Sequence, residues 1–275
     1  MRKIKLIAAC IVILCSLAVV SSSHCVNYCD GARAPEGFYL ATYPVWYTAD
    51  SLTNDDGGTA TNEFGANEYD VLIRPIWYIR DFVFHVIVPL GNISVHYFDD
   101  NDGGIGDIVA GGGYFLPVKE INILPVLNMK FPTGHFNSAS EVNYGDGQFD
   151  LMPELYINKS VGRCSVDIAL KYWHRFRNEN NSFTPGNQFY AECVSTYEVI
   201  KGFRVGPNIS FCKGGNPELE GVELPDNDIT RLSVGAEFVF IITPKVHFLL
   251  DAIPDVYAEN TAKGMLVMGR LCCKF

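Results

Sequence analysis

The sequence predicts an all-β fold: a transmembrane, up-and-down antiparallel β-barrel of about twelve strands over residues 24–275. Three observations predict it. The first is the closing stretch, where Cys273, Leu271, Gly269, Val267 and Met265 share one uncharged face and Lys274, Cys272, Arg270, Met268 and Leu266 share the other. A period of two means one face in an apolar medium and the other among polar groups. Chain ends usually fray, so a strand that keeps its pattern up to a terminal aromatic, Phe275, is tied down. The second is a regular exchange of long and short connections between alternating segments, which up-and-down membrane barrels show and soluble sandwiches have no reason to keep. The third is that no run of 18 apolar residues follows the leader, so a membrane could be crossed only with strands.

Residues 1–23 read as a signal peptide. Arg2, Lys3 and Lys5 form its basic start, residues 6–20 its apolar body, and Ser21 to Ser23 the small residues before a cut expected near Ser22 or Ser23. Ala8, Ala9 and Cys10 look like a lipidation site, but too few apolar residues precede Cys10. The whole chain carries a formal charge of −10, and loss of the leader removes only bases, so nucleic acid is a poor partner. No linker or low-complexity tract divides the remainder, which reads as one domain.

In chain order the expected strands are 36–47, 67–79, 82–97, 107–118, 121–131, 148–159, 163–176, 188–199, 203–213, 229–242, 246–257 and 264–275. The odd-numbered connections, Thr48 to Ala66, Phe98 to Gly106, Pro132 to Gly147, Arg177 to Asn187, Lys213 to Asp228 and Ala258 to Lys263, are long; Arg80-Asp81, Lys119-Glu120, Ser160 to Gly162, Ile200 to Gly202 and Thr243 to Lys245 are tight, so long and short alternate throughout. Alternation is clearest late in the chain. Arg163, Ser165, Asp167, Ala169, Lys171, Trp173 and Arg175 face one way and Val166, Ile168, Leu170 and Tyr172 the other; Phe203, Val205, Ile209 and Phe211 oppose Arg204, Asn208 and Ser210. Tyr43, Trp46, Tyr47, Trp77, Tyr78 and Tyr97, near strand ends, are expected in interfacial girdles, whereas the parity of Trp173 points it inward.

The inward charges are the candidate site residues: Arg163, Asp167, Lys171, Glu192, Arg204, Arg231, Glu237, Asp251 and Arg270. The tight turns set Glu237 opposite Asp251 and Lys171 close to Glu192, and they suggest Arg270 as the cation between the two carboxylates. Such charges either fill a narrow lumen as a polar network or constrict a pore and select what passes. The Asp-rich stretch from Phe98 to Asp107 departs from calcium-loop spacing and reads as a solvated outer loop, so no metal or cofactor is expected. Cys25 and Cys29 could close a small disulfide, and the five later cysteines read as apolar fillers. No nucleophile stands at a recognisable spacing from a histidine, so no enzyme is predicted.

Gly104-Ile-Gly-Asp-Ile108, then Lys130-Phe-Pro-Thr-Gly134, then Tyr144-Gly-Asp-Gly-Gln-Phe-Asp150 resemble, in order and spacing, the transporter-like outer-membrane family named for a meta-pathway of phenol degradation. The closing strand likewise resembles that of outer-membrane barrels, whose last residue is typically Phe. The resemblance implies a barrel in the outer membrane of a Gram-negative-type bacterium, partnered by the bilayer and by the assembly machinery that would read Phe275. It implies passage of small, often aromatic or hydrophobic solutes. A structural or surface-interaction barrel is the alternative, with a barrel lipid hydrolase behind it. Gly104, Gly106, Asp107, Pro132, Thr133 and Gly134 read as loop-shaping positions.

Overall fold

The computed structural model describes residues 25–275, so the leader expected over 1–23 lies outside the described residues. Twelve long strands form one closed antiparallel barrel: β1 Gly37–Thr53, β2 Ala66–Ile79, β3 Phe82–Val95, β4 Ile108–Tyr114, β5 Asn122–Phe131 and β6 Asp150–Val161 in the first half. The second half adds β7 Cys164–Arg175, β8 Gln188–Ile200, β9 Phe203–Gly214, β10 Thr230–Thr243, β11 Val246–Glu259 and β12 Ala262–Lys274. Each pairs with its sequence neighbours, and β12 closes on β1 from Tyr39↔Lys274 to Leu52↔Ala262. Closure leaves the barrel without an exposed sheet edge, the condition for strands to survive in hydrocarbon. Outward faces carry Val71, Leu127, Leu170, Ile209, Val234 and Leu250, all exposed. An apolar belt this continuous has no soluble counterpart and suits lipid.

The twelve strands expected from periodicity are these twelve. The corrections concern their ends. β4 stops at Tyr114 rather than 118, because Phe115 turns inward, its N–H donating to the Asp81 carbonyl, and Pro117 lacks a donor for a ladder. The expected tight turn at 119–120 is thus a connection of residues 115–121. The expected long loop at 258–263 is instead the two-residue turn Asn260-Thr261. Asn260 takes φ +49°, which asparagine tolerates, and Thr53 donates from N and Oγ1 to the Thr261 carbonyl, extending β1 beyond 47. The long-short rhythm therefore holds for the first five outer connections and breaks at the sixth.

Two further expectations change. Tyr43 and Tyr47 are buried and face the lumen, as does Tyr78, so they belong to no girdle; Trp46, Trp77 and Tyr97 are exposed, with Trp46 stacked on Tyr69 across β1 and β2. The Asp-rich stretch is not a free loop. Asp100–Ile105 folds as a short strand on the outer half of β3, from Leu90↔Ile105 to Val95↔Asp100, and continues the wall above the seven-residue β4.

Candidate functional site

Residues 25–35, which precede β1, cross the barrel interior. They are held by the inward faces of β7 to β12. Val26 is fully buried against Ala169 and Val194. The Asn27 amide donates to Asp251 at 2.7 Å, and the Asn208 amide donates to the Val26 carbonyl at 3.1 Å. Tyr28 N–H donates to both Glu237 oxygens at 3.1 Å, while Cys29 and Gly31 N–H donate to Asp167. Arg270 closes the set, with Nη1 on Asp30 at 2.6 Å and Nη2 on the Tyr28 carbonyl at 2.7 Å. Wall carboxylates thus accept the backbone donors of an irregular segment that no ladder could satisfy, which removes the cost of burying both.

This placement resolves the sequence candidates one by one. Glu237 does face Asp251 across β10 and β11, and Lys171 does pair with Glu192, at 2.7 Å. Arg270 acts electrostatically on both but makes no direct ion pair with either. It lies opposite Leu249, and its carboxylate is Asp30, while the two wall acids are served by Tyr28 and Asn27. Arg204 holds the same segment from below: its guanidinium lies 4.8 Å over the Tyr28 ring, and Nη2 reaches the Arg163 carbonyl. Arg163 itself is exposed in the turn between β6 and β7, not in the lumen, because the turn Gly162-Arg163 takes it out of strand parity. Arg231 lines a small cavity over Cys25 with Tyr47, Tyr190 and Ser210. Asp167, Glu192, Arg204, Glu237, Asp251 and Arg270 are all buried.

All seven described cysteines are free thiols, so Cys25 and Cys29 are not bridged. Burial, then the nearby Glu192 and Asp251 carboxylates, pushes the Cys25 thiol far up; burial and Asp167 push Cys29 up to about 12. Both remain protonated and unreactive while the segment is seated.

The outer mouth has its own device, built from the three short motifs. Asp107 accepts from Gly134 N–H with one oxygen and from Asp146 N–H with the other, both at 2.8 Å. Thr133 Oγ1 accepts from Ile108 N–H and donates to the Gly106 carbonyl. Lys130, 1% exposed, pairs with Asp146 and with Asp150 at 2.7 Å; Arg175 shares Asp146, and both cations lie about 5 Å from the Trp173 ring. Gly134 and Gly145 approach so closely that a Cβ on Gly145 would lie 2.7 Å from the Gly134 carbonyl carbon. The loop 132–149 is thereby folded into the outer lumen, where Val142 and Tyr144 pack with Tyr47, Phe64 and Ile93. Asp100 and Asp102 of the added strand hold it from the side, accepting from Val142 and Tyr144 N–H. Gly104 takes φ +130° in the bend before Asp107, and Pro132 precedes Thr133 where β5 ends.

Burial and then the Asp146 carboxylate push Asp107 up to about 6. Burial would also raise Asp146, but Lys130 and Arg175 outweigh it and hold that carboxyl below its usual range. A raised folded value means that the docked loop binds a proton the released loop gives up. Docking should strengthen as pH falls through about 6 and level off near 4, below which protonation of Asp146 begins to weaken it. Hydrogen exchange at the Gly134 amide, corrected for intrinsic rates, should show greater protection at pH 5 than at pH 7.5, and Asp107→Asn should flatten that difference.

Two of the histidines have polar partners, His85 inside the barrel and His135 on the exposed outer loop. His85 is bonded to Arg74 and Asn128, and the partner of His135 is Asp102.

The family described as "Putative MetA-pathway of phenol degradation" matches residues 46–271. No curated protein sequence matches the chain. Among solved structures, an outer membrane channel from Pseudomonas putida F1 superposes with a TM-score of 0.82 at 18% identity, covering 91% of this chain and 100% of that one. The β domain of the Bordetella autotransporter BrkA gives 0.52 at 9% identity, with 88% and 100% covered. The NanC porin gives 0.51 at 9%, with 86% and 100% covered. At these identities the likeness is one of fold.

Proposed function

The chain belongs to this phenol-degradation family, whose described match spans most of its length, and we propose that it is a passive channel of the bacterial outer membrane for small molecules, aromatic ones among them. The observation that carries the reading is the filling of the barrel. A structural barrel needs a packed, self-satisfied interior. Here, instead, wall carboxylates and Arg270 hold a separate segment, residues 25–35, by side-chain bonds to its backbone, an arrangement that can open without breaking the wall. The outer membrane channel from Pseudomonas putida F1, which superposes with a TM-score of 0.82, supports the same reading. No catalytic residue is assigned.

The charges that ring the lumen are then the selectivity determinants. Asp251→Asn together with Glu237→Gln is expected to shift the reversal potential of a salt gradient toward anion preference by several-fold in permeability ratio, measured in planar bilayers. An unchanged potential counts against it. Silence across solutes in liposome swelling, with the segment both present and removed, would favour a purely structural barrel instead. Phe275 lies at the closing seam, its N–H donating to the Phe38 carbonyl at 3.0 Å and its ring exposed beside Phe38. As the residue read by the assembly machinery, its deletion should cut the heat-modifiable, folded fraction in the outer membrane several-fold, while refolding of the purified chain in detergent changes little.

A further inference from the structure

Below the crossing segment, at the end of the barrel that carries the tight turns, a cavity of about 240 Å³ is lined by the segment itself and by β1, β2, β11 and β12. At about 30 Å³ per water it has the room of about eight waters, enough for a single-ring solute. Its charge is one-sided. Arg74, Arg270, Arg33 and Lys245 line it, against the single carboxylate of Asp30. Asp30 serves Arg270, and Arg33 is taken by Asp81 at the turn after β2. The hydrogen-bond partners of Arg74 are neutral, the Tyr43 hydroxyl at 3.3 Å and His85 Nδ1 at 3.0 Å, and Asp30 acts on it only at longer range.

Among the residues that line this cavity, the Arg74 Nε–H and the Arg270 Nε–H are buried with no acceptor, and Arg270 is 4% exposed. Buried donors left open are costly, and charged ones more so. The rest of the wall combines Tyr39, Tyr43, Tyr78 and His247 with small and aliphatic residues such as Ala41 and Ile76. Tyr39 and Tyr78 meet edge to face at 5.2 Å, and Tyr78 lies against Phe115. A planar fork beside aromatic faces suits a flat solute with a carboxylate at one end.

We propose that this vestibule binds small aromatic carboxylates, the carboxylate on Arg74 and the unsatisfied side of Arg270 and the ring among Tyr39 and Tyr78. The proposal rests on the channel reading for its biological sense, and it names the solute class of that channel as anionic rather than neutral aromatics. Asp30 holds Nη1 of Arg270 and the Tyr28 carbonyl holds Nη2, so a solute on the remaining side would bind with the crossing segment still seated.

The test is an equilibrium titration of the full, detergent-solubilised chain with 4-fluorobenzoate, read by fluorine NMR. Saturable binding is expected, with 4-fluorobenzyl alcohol, which has the ring without the charge, weaker by about ten- to hundredfold. Arg74→Gln should weaken benzoate by a similar factor, Arg74→Lys by less, and Tyr78→Leu should weaken benzoate and alcohol alike. Competition by chloride or phosphate with equal affinity would show an anion site without aromatic selectivity and overturn the proposal. So would absence of saturation, or equal binding of acid and alcohol. Folding of each variant is checked by heat-modifiable migration; should Arg74→Gln fail it, the acid-alcohol comparison on the native chain and Tyr78→Leu decide. Binding is measured without transport, so a site that binds in a barrel that does not conduct refutes the channel alone, and conductance without binding refutes this site alone.

Discussion

Replacing Lys130 by Met is expected to cost about 3–5 kcal/mol, the largest single-residue loss in the barrel, because it strips the cation from a buried group of carboxylates. Lys130 is 1% exposed and stands among Asp146, Asp150 and Asp107, with Arg175 as the other cation on Asp146 and Asp150 among the described residues. Met fills a similar volume but leaves the charge on Asp150, which is fully buried and also accepts the Trp173 indole N–H at 3.0 Å. The outer loop 132–149 should then come free of the mouth, since Asp146 lies within it. The readout is the temperature at which the compact form is lost on detergent gels, which should fall markedly in Lys130→Met and recover in part in Lys130→Arg. A midpoint unchanged in Lys130→Met would mean that the loop is held by its apolar contacts with Phe64 and Ile93 instead.

Arg270→Gln should release the crossing segment. It removes the Asp30 ion pair and the bond to the Tyr28 carbonyl together, and with Asp30 partly open to solvent the loss falls at the lower end for a buried pair, about 3 kcal/mol. That energy corresponds to roughly a hundredfold larger open population. Cys25 reports it directly. Its thiol is buried against the lumen wall and held protonated, so alkylation by a maleimide should be slow in the native chain and rise by about that factor in the variant. Cys164, already exposed at the start of β7, supplies the internal reference in peptide mapping. Equal labelling of Cys25 in both proteins would mean that Arg270 does not hold the segment.

The sequence made the wall legible because the physics of the wall is local. A period of two, with lipid on one side, writes itself into Leu170, Tyr172 and Phe211 against Asp167, Lys171 and Ser210, and the two-residue turns fix register well enough to place Glu237 beside Asp251. Register also carried Lys171 to Glu192. It misassigned Arg270, because the true partner comes from 240 positions away in a segment with no periodicity. Residues 25–35 have no strand pattern, and their bonds are mostly backbone donors, which leave no side-chain signature. One signal was present: facing carboxylates at 237 and 251 with no cation directly opposite either of them require outside donors. Gly104, Gly106, Asp107, Pro132, Thr133 and Gly134 read as loop-shaping from the sequence, but the convergence of the three motifs on Asp107, Lys130 and Asp146 depends on a long loop folding inward, which spacing alone does not encode.

On the channel reading proposed above, residues 25–35 close the barrel. Single-channel recording in planar bilayers tests this, comparing the native protein with one that lacks those residues but keeps residues 1–24 and β1 to β12. Small, intermittent events in the native protein and stable steps several-fold larger in the shortened one are the predicted result. Equal conductance in the two proteins, or silence in both, would contradict it.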